Sequence, residues 1–376
     1  MSSSSTVPAG TLQPLAPADL PQLEPVWRAL EARGEGSFFT SWSWVGSWAA
    51  ILAPHAPLYQ FTYGDPNQPE GLALLTPYRH RHRRLLPTHT LGLHQHRGGG
   101  FNMNIEHNGL LCRPDQLPRV ATALLQCLAR HRHWHELALD AITDAQWRSL
   151  RGLQHRSYWR QDDQHTPWVR PLAGLQDLDD VLAPLSRNRR WQIRRSMRHY
   201  ETESGPLHCQ AARDLPQALE WFDDMGVLHS RRWQRDGLPG SWANPNWVDF
   251  HRQVIHRGFP RGEIQLLHIQ AGPHTLGYIY SFLWRGRVCM LQTGFAEPRH
   301  NLERPGYVGH CLAILHNARR GMECYDFLCG DEDYKATLGQ PDTPLHWVRS
   351  RRRCIRNRLE DGAIDLWRAR RTRPPR

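Results

Sequence analysis

The sequence predicts an α/β protein with mixed sheets, an α+β arrangement built as two tandem domains. Its 376 residues suffice for two domains of ordinary size. Short apolar runs bounded by Gly, Pro, Asn and Asp predict strands, and longer segments with apolar residues at helical spacing predict helices. Strands, a helix and a further strand follow one another in the same order in each half of the chain. This repeated order predicts two domains of one kind.

The domain boundaries follow changes in composition. Residues 1–16 are rich in Ser and Pro and predict a flexible leader, and residues 17–165 form the first domain. The polar segment of about 160–183 predicts a link between the halves. The second domain then covers residues 166–345, and residues 346–376 predict an Arg-rich tail that is disordered and solubilising.

The first domain begins with a helix from about Pro17 that ends at Gly34. Trp42, Trp44 and Trp48 follow, and because their segment has helical spacing we expect them in the core rather than on a stacking surface. The next runs, LYQFTY and GLALLTPY, predict a hairpin, with further strands in THTLGL and NGLLC. A helix is predicted for DQLPRVATALLQCLARHR, and a strand for HELALD.

The second domain repeats this order. A long amphipathic helix is predicted for DLPQALEWFDDMGVLHSRRW. Three strands with Gly at the turns then predict an antiparallel meander, in GEIQLLHIQ, TLGYIYSFLW and RVCMLQTGF. The next helix begins at Pro305 and ends at Gly321. The strand in ECYDFLCG can then return parallel to the meander by a crossover.

Several classes of protein are excluded or disfavoured. No stretch approaches the roughly 18 apolar residues of a membrane-spanning helix, so we expect no integral membrane segment. The N-terminus lacks the basic and apolar regions of a secretory signal, and the eight cysteines show no metal or disulfide spacing, so we expect a cytoplasmic protein with reduced thiols. The His-rich runs lack a zinc motif, and we predict no metal site.

The positive charge is concentrated at the C-terminus. Residues from His346 onward carry eleven arginines and three acids, which is eight of the eleven net positive charges. The remainder of the chain is nearly balanced. Lys335 is the single lysine, and its retention in an Arg-rich chain indicates a place where a compact ammonium charge is wanted.

The first candidate site joins a strand end to a helix start. Main-chain groups at the end of the third meander strand are candidates to bind a ligand, and these residues are Gln292, Thr293, Gly294 and Phe295. Arg304, Pro305 and Gly306 begin the next helix, whose free N–H groups and partial positive charge suit a pyrophosphate. Ordinary helix capping remains the alternative for this motif.

The second candidate site is the segment YDFLCGDEDYKATLG. A strand carrying Asp326 runs into Gly330, three acids that include Asp331, and then Tyr334 and Lys335. Acyl transfer needs a group that takes a proton and groups that stabilise the oxyanion, and these are suitable residue types. A solvated acidic turn that caps a helix is the alternative.

The third candidate site is the end of the long helix, in LHSRRWQRDGLPG. His229 is a candidate proton acceptor and Trp233 a candidate acceptor-binding residue, although a His at a helix end also acts as a cap. Tyr280, on the second meander strand, completes the acceptor-binding set together with Asp326 and Gly330.

These motifs together resemble a known family. The combination of SRNRRWQIRRSMRHY, LHSRRW, GLPGSW, LQTGFAEPRHNLERPGYVGH and YDFLCGDEDYKATLG resembles the GNAT-like acetyltransferases of the CelD/BcsL type, which are similar in architecture to Fem-type aminoacyl transferases. The resemblance covers about residues 180–340. It implies two tandem GNAT domains with the donor, acetyl-CoA, bound as a co-substrate at the second. It also implies that the G-D-x-x-Y-K residues, His229 and Trp233 line the cleft.

The expected function is therefore an acyl-CoA-dependent N- or O-acyltransferase that acts by direct transfer in a ternary complex. Its acceptor would be a small molecule or glycan, such as a sugar, polysaccharide or cell-envelope precursor. One alternative is a Fem-like enzyme that uses aminoacyl-tRNA, which the basic helix at 187–198 favours. Another is a non-catalytic protein that binds an acidic polymer, or contacts a membrane peripherally, through the Arg-rich tail. The oligomeric state is not predicted.

Overall fold

The computed structural model describes residues 10–81, 87–131, 134–153 and 157–371. The chain forms two compact units. Unit 1 comprises the residues up to Gln164 together with those from Pro344 onward, and unit 2 comprises His165–Thr343. Each unit is built on its own mixed sheet.

The strands and helices of the described residues are numbered in chain order. The strands are β1 (Gly10–Leu15), β2 (Leu58–Asp65), β3 (Gln68–Arg81), β4 (Pro87–Leu93), β5 (Leu111–Cys112), β6 (Glu136–Thr143), β7 (Ser157–His165), β8 (Trp168–Pro171), β9 (Leu207–Ala211), β10 (Ile264–Ala271), β11 (His274–Trp284), β12 (Arg287–Phe295), β13 (Cys324–Asp326), β14 (Gln340–Pro341) and β15 (Leu345–Arg352). The helices are α1 (Leu20–Arg33), α2 (Trp42–Leu52), α3 (Leu117–Arg130), α4 (Asp144–Arg151), α5 (Leu178–Leu182), α6 (Arg187–Glu203), α7 (Leu215–Arg235), α8 (Pro245–Gly258), α9 (Pro305–Arg319), α10 (Asp333–Leu338) and α11 (Ile355–Arg371).

Unit 1 has the strand order β1-β2-β3-β4-β6-β15-β7, with β5 paired to β3. β1 to β4 pair antiparallel, and α3 carries the chain from this meander to β6, which pairs parallel to β4. The predicted aromatic core is confirmed, because Trp42, Trp44 and Trp48 of α2 are buried. Ser41 starts α2 by accepting a hydrogen bond from the Trp44 amide at 3.3 Å.

Unit 2 has the strand order β14-β8-β13-β12-β11-β10-β9. β9 to β12 pair antiparallel, and α9 then leads to β13, which pairs parallel to β12. One face of the sheet packs on α6 and α9 through an aliphatic core that includes Ile193, Ile269 and Ile314. Aromatic side chains such as Phe222 and Tyr280 pack between the other face and α7 and α8.

Both units therefore repeat one topology, in which an antiparallel meander is followed by a crossover helix and a parallel strand. The predicted mixed α/β architecture in two similar halves is confirmed, including the meander of unit 2 and the helix that begins at Pro305. At Pro305 the missing N–H costs nothing, since the first helical residues have no intrahelical acceptor.

The structure corrects three predictions about segments outside these cores. The leader is not flexible throughout, because Gly10–Leu15 form β1 and pair with Leu58–Tyr63 of β2; residues 1–9 lie outside the described residues. The polar segment at 160–183 is not a plain link, since it contains β8, α5 and most of β7. The Arg-rich tail is not disordered, because it supplies β15, which pairs antiparallel to β6, and α11.

Across the part of the chain that the structure describes, no helix combines the length and the hydropathy needed to cross a bilayer.

Candidate active site

The candidate active site of unit 2 begins where two parallel strands part. β12 and β13 pair only from Arg287 to Cys289 and from Cys324 to Asp326. β12 then continues to Phe295, whereas the chain after β13 bends away at Leu328, which has a φ of +62°. On the other side of β12 the register with β11 shifts by one residue after Tyr280, which is a β-bulge. The ends of β12 and β13 consequently diverge, and we call the opening between Phe295 and the chain after Leu328 the wedge.

The N-terminus of α9 lies beside the end of β12. A Cβ added at Gly306 would meet only the Phe295 ring, at 3.7 Å or more, so the backbone of the first turn is accessible. The Arg304 amide donates to Ser196 Oγ of α6 at 2.9 Å, which fixes the start of the helix. The Arg304 guanidinium donates to the carbonyls of Asn301 and Glu303, each at 2.8 Å. Because first-turn amides have no intrahelical acceptor, those of α9 are able to bind an anion.

α6 adds positive charge next to this helix start. The Arg189 guanidinium lies over the Tyr307 ring at 4.7 Å. Further along α6, the Arg195 guanidinium lies 5.0 Å from the ring of Trp191, which is 51% exposed. The motif that the sequence marks as a basic helix thus borders the candidate phosphate site.

His310, on the second turn of α9, connects the strand end to the Tyr-Lys motif. Its ring is 5.6 Å from that of Phe295 and stacks on Tyr334 at 4.7 Å with an interplanar angle of 10°. Phe327 closes the group at 5.7 Å from His310. His310 is buried, and its Nδ1 has no hydrogen-bond partner within the described chain. Burial, with a smaller contribution from Lys335, lowers the pKa of His310 to about 3, so the imidazole is neutral at physiological pH.

Lys335 is a buried cation held in a fixed position. Its Nζ donates to the Cys329 carbonyl at 2.5 Å and pairs with Glu332 at 3.1 Å. Gly330 has a φ of +140°, and a Cβ there would lie 2.5 Å from the Lys335 Nζ. Gly330 therefore allows the ammonium to approach the main chain closely.

Tyr334 and the acidic residues differ in exposure. Burial raises the pKa of Tyr334, and Glu332 adds to this effect, so the phenol stays protonated and can donate a hydrogen bond. Asp331, Glu332 and Asp333 are exposed at the start of α10. Among them Asp331 is the carboxylate next to Gly330, at the rim of the wedge.

Both ring nitrogens of His229, the predicted proton acceptor, make hydrogen bonds within the protein. Its Nδ1 donates to the Thr293 carbonyl at 3.3 Å, and its Nε2 accepts from the Ser241 amide at 3.2 Å. Both ring nitrogens are therefore engaged, and burial lowers the pKa of His229. The ring holds α7 and the Ser241 turn against β12 and does not offer a free base. Half-buried Trp233 lies next to it, with the ring centroids 5.6 Å apart.

The remaining residues of β12 are also partly engaged. The Gln292 Nε2 donates to Ser241 Oγ at 3.1 Å. At Gly294 a Cβ would lie 2.4 Å from the Met225 carbonyl, so α7 covers this strand directly. The predicted set Gln292–Phe295 is thus contacted by α7 at Thr293 and Gly294 and by α9 at Phe295.

Two predicted acceptor-binding residues, Tyr280 and Asp326, lie away from the wedge. Tyr280 is fully buried in the aromatic layer, where its ring packs edge to face on Phe222 at 5.7 Å. Asp326 is also fully buried, and it accepts from Arg287 at 2.7 Å and from the Leu328 amide at 2.8 Å. Neither side chain reaches the wedge, and Asp326 instead stabilises the bend that opens it.

The structure thus brings together Phe295, Gly306, Gly330, Tyr334 and Lys335, and it adds His310. His310 is not among the residues predicted from the sequence, because it lies in the helical run between the apolar positions 308 and 311. Its only signal was a titratable residue within an apolar stripe. In the described chain no group of three or more His, Cys, Asp or Glu side chains could hold a metal ion.

Comparison with known proteins identifies the domain. Residues 187–336 match the family model described as the acetyltransferase (GNAT) domain. Unit 2 carries a GNAT acetyltransferase domain. The protein is accordingly an acyltransferase, as the motifs predict, and the match includes α6, the wedge and Lys335.

Solved structures with a similar fold extend over both units. FemX has a TM-score of 0.53 at 10% identity, covering 89% of this chain and 96% of its own. L-PGS from Bacillus licheniformis has a TM-score of 0.53 at 8% identity, covering 93% and 97%. A conserved protein from Bacteroides thetaiotaomicron has a TM-score of 0.52 at 9% identity, covering 90% and 99%. At these identities the likeness concerns the fold alone. A comparison with curated protein sequences gives no significant match.

Proposed function

We propose that this protein transfers an acyl group, most simply acetyl, from acyl-CoA directly to an amine or hydroxyl in the wedge of unit 2. The observation that carries this proposal is the convergence of two features at one sheet edge. The open N-terminus of α9 can hold phosphates. His310 of the same helix stacks on Tyr334, which is next to Lys335 in the chain.

The donor would extend from α9 to β12. Its pyrophosphate would accept hydrogen bonds from the first-turn amides at Gly306 and Tyr307, with the α9 dipole favouring the negative charge. Arg304 supplies a permanent cation at the same place. The pantetheine would follow the end of β12, and the thioester would lie near the Phe295 and His310 rings.

The chemistry then needs three roles. The acceptor nitrogen or oxygen attacks the thioester carbon, a C–N or C–O bond forms, and the C–S bond breaks with CoA as the leaving group. Asp331 would take the proton that the acceptor loses. Tyr334, kept protonated by burial, would donate to the departing sulfur, and the Lys335 ammonium would stabilise the developing negative charge. No covalent acyl-enzyme is needed.

The acceptor is the finer part of the proposal. The motif resemblance to CelD/BcsL-type proteins supports a sugar, polysaccharide or cell-envelope precursor made in the cytoplasm. The exposed acids at 331–333 favour an acceptor with an amino group, since carboxylates at the rim would attract its ammonium form before deprotonation.

Binding of the donor is tested with a matched pair of variants at Gly306. A side chain fits there, because the nearest atom to an added Cβ is 3.7 Å away. Gly306→Glu places a carboxylate at the helix start, which does not oppose the helix dipole but repels a pyrophosphate, while Gly306→Gln has the same size without charge. We expect acetyl-CoA to raise the melting temperature of the wild type and of Gly306→Gln more than that of Gly306→Glu. Equal shifts in all three proteins would contradict the phosphate site.

Transfer is tested by CoA release with a panel of amino sugars and sugar nucleotides. Lys335→Met and Tyr334→Phe keep the size of the side chains and remove the charge and the hydroxyl. We expect each to lower kcat by about 10²-fold or more, with little change in acetyl-CoA binding. Full activity of both variants would show that the transfer takes place elsewhere.

The aminoacyl-tRNA-dependent alternative is favoured by one observation. The exposed Trp191 ring, with Arg195 over it, is suited to stacking on an unpaired base, and neighbouring arginines of α6 can contact phosphates. Charged tRNA that protects the protein from unfolding, with affinity falling steeply with salt, would support this alternative. Protection by acetyl-CoA alone would support the CoA-dependent reaction.

The reading of residues 346–376 as a free polymer-binding tail is not retained, since β15 and α11 belong to the sheet and packing of unit 1.

A further inference from the structure

Unit 1 contains a cavity of about 360 Å³ on the face of its sheet that α3 covers. Its floor is formed by Tyr59, Pro77 and Leu91, one each from β2, β3 and β4. Tyr59 pairs with Leu75, two residues before Pro77, and Pro77 pairs with Leu91, so the three side chains lie on one face of the sheet. Trp134 forms a wall; it is 5% exposed, and its Nε1 donates to the Leu128 carbonyl at 2.8 Å. Volumes of this size are typical of small-molecule sites.

The cavity follows from a mismatch between the lengths of a helix and a strand. β3 and α3 have 14 residues each. They therefore span about 46 Å and about 21 Å respectively. α3 lies over the start of β3, where a Cβ on Gly71 would be 2.5 Å from Val120. The sheet face near Pro77 extends beyond the end of the helix and stays partly uncovered.

Pro77 suits this position. β2 begins at Leu58, which lies opposite Thr76, so β2 does not extend to Pro77. The missing proline N–H therefore removes no hydrogen bond to β2. The ring instead adds a rigid apolar surface to the floor. Tyr59 and Pro77 are both half-buried, so this surface is open to a ligand.

The charge at the cavity has one sign. Arg79, which is exposed, lies two residues after Pro77, and its cross-strand partner His89 lies two residues before Leu91 on the same face. None of the described lining residues is acidic. The C-terminal end of α3 carries a partial negative charge, which would repel an anion. The Arg352 guanidinium offsets this charge, because it donates a hydrogen bond to the His131 carbonyl at 3.0 Å. An apolar floor with a cationic mouth fits an apolar molecule with an anionic head.

We propose that this cavity of unit 1 binds a medium-chain carboxylate, with its chain on Tyr59, Pro77 and Leu91 and its carboxylate at Arg79. The site is separate from the wedge of unit 2 and does not depend on the reaction proposed there. The ligand class follows from the apolar floor and the sign of the charge.

The experiment measures the melting temperature and the affinity of the full chain with three probes of one chain length. These are decanoate, 1-decanol and decyltrimethylammonium. We expect decanoate to bind and stabilise the protein, decanol to bind more weakly and the cation to bind least. Equal binding of the three probes, or no binding of decanoate, would overturn the proposal.

Variants locate the site. Pro77→Trp fills the floor and should abolish decanoate binding, while Arg79→Glu should weaken it by about fivefold or more. Arg119→Glu, an exposed change on α3 outside the cavity, is the matched control and should bind decanoate with less than a twofold change. Should Pro77→Trp fail to fold, Leu12→Trp on the edge strand β1 fills the cavity from its other side. Decanoate binding that survives either filled cavity, or that Arg119→Glu weakens as much as Arg79→Glu, would place the ligand elsewhere.

Discussion

His310 illustrates how one residue organises the candidate site. As a neutral ring it packs between Phe295 and Tyr334, and it holds the phenol by stacking rather than by a hydrogen bond. A charged imidazole would be repelled by Lys335, which is one cause of its low pKa. His310 is therefore a positioning residue for Tyr334, which precedes Lys335 in the chain.

Gly330 gives a prediction at the same scale. In Gly330→Ala the new Cβ would lie 2.2 Å from Glu332 Oε2 and 2.5 Å from Lys335 Nζ, so the ammonium must leave its place on the Cys329 carbonyl. We expect acyl transfer, measured as CoA release, to fall at least about tenfold. The positive φ adds a stability cost of about 1–3 kcal/mol.

The control for this change is Gly321→Ala. Gly321 also has a positive φ, of +75°, but an added Cβ there meets no atom within 4 Å. It should lose comparable stability in urea unfolding and keep its activity. An equal loss of activity in both variants would mean that strain, rather than the position of Lys335, is responsible.

At the level of single residues, the sequence predicted the chemistry of the site better than its geometry. The G-D-x-x-Y-K segment places Tyr334 and Lys335 together because they are neighbours in the chain. Burial is set by packing between distant elements, which residue type alone does not encode. Tyr280 and Asp326 have suitable side chains for a binding site, yet α7 and α8 cover the first and Arg287 pairs with the second.

Among the secondary-structure elements, β15 carries two buried arginines that form ion pairs, Arg349 and Arg351. Arg349 on β15 is 3% exposed, and it pairs with Asp140 of β6, which is equally buried, and with Asp162 of β7 at 3.3 Å. Arg97 also reaches Asp140. Two guanidinium groups hold the pKa of Asp140 below its usual value, although burial alone would raise it.

Removal of this carboxylate tests the role of the network. Asp140→Ala leaves Arg349 buried with reduced compensation, and we expect the free energy of unfolding of unit 1 to fall by about 3–5 kcal/mol. The measurement is urea unfolding. Asp115→Ala, which removes the partner of the exposed Arg113, should cause no measurable change. A small effect of Asp140→Ala would indicate that Glu136 and Asp162 suffice for Arg349.

The same network explains why the tail was mispredicted. A segment with eleven arginines and three acids is predicted to be solvated when only neighbours in the chain are considered. Two of these arginines, Arg349 and Arg351, pair with Asp140 and Glu136, which lie about 200 residues earlier in the sequence and so beyond the range of any local pattern. The meander strands and crossover helices were predictable because their apolar periodicity and turn glycines are local.

For the whole molecule, buried histidines predict a loss of stability in acid. Burial lowers the pKa of His94 from 6.5 to about 4, and that of His310 to about 3. Below about pH 6.5 the unfolded chain binds protons at these residues that the folded chain does not, so the free energy of unfolding falls as the pH is lowered toward 4. Each histidine contributes up to about 1.4 kcal/mol per pH unit.

Urea unfolding between pH 7 and pH 4.5 measures this slope. His310→Phe keeps an aromatic ring in the stack and has no group to protonate, so its slope should be smaller. Its stability at pH 7 should be equal or higher, since the unpaired Nδ1 is gone. An unchanged slope would show that His310 takes up its proton equally in both states.

Deletion of residues 344–376 tests the division of the chain into units. It removes β15 from its place between β6 and β7 in the sheet order and takes away the arginines that pair with Asp140 and Glu136. Hydrogen exchange should become fast throughout residues 10–164, while residues 165–343 stay protected. Retained protection in unit 1 would mean that its sheet is stable without β15.

The position of β15 in the chain also has a consequence for synthesis on the ribosome. Residues 165–343 emerge as one continuous stretch, so unit 2 has all its strands before translation reaches Leu345. The strands β1 to β7 of unit 1 emerge first, yet the position between β6 and β7 in its sheet stays empty until β15 follows. Domains commonly fold in the order in which they are made. Here the later unit can finish first, and the earlier one has its buried acids Glu136 and Asp140 without their arginine partners on β15 until that strand has been synthesised.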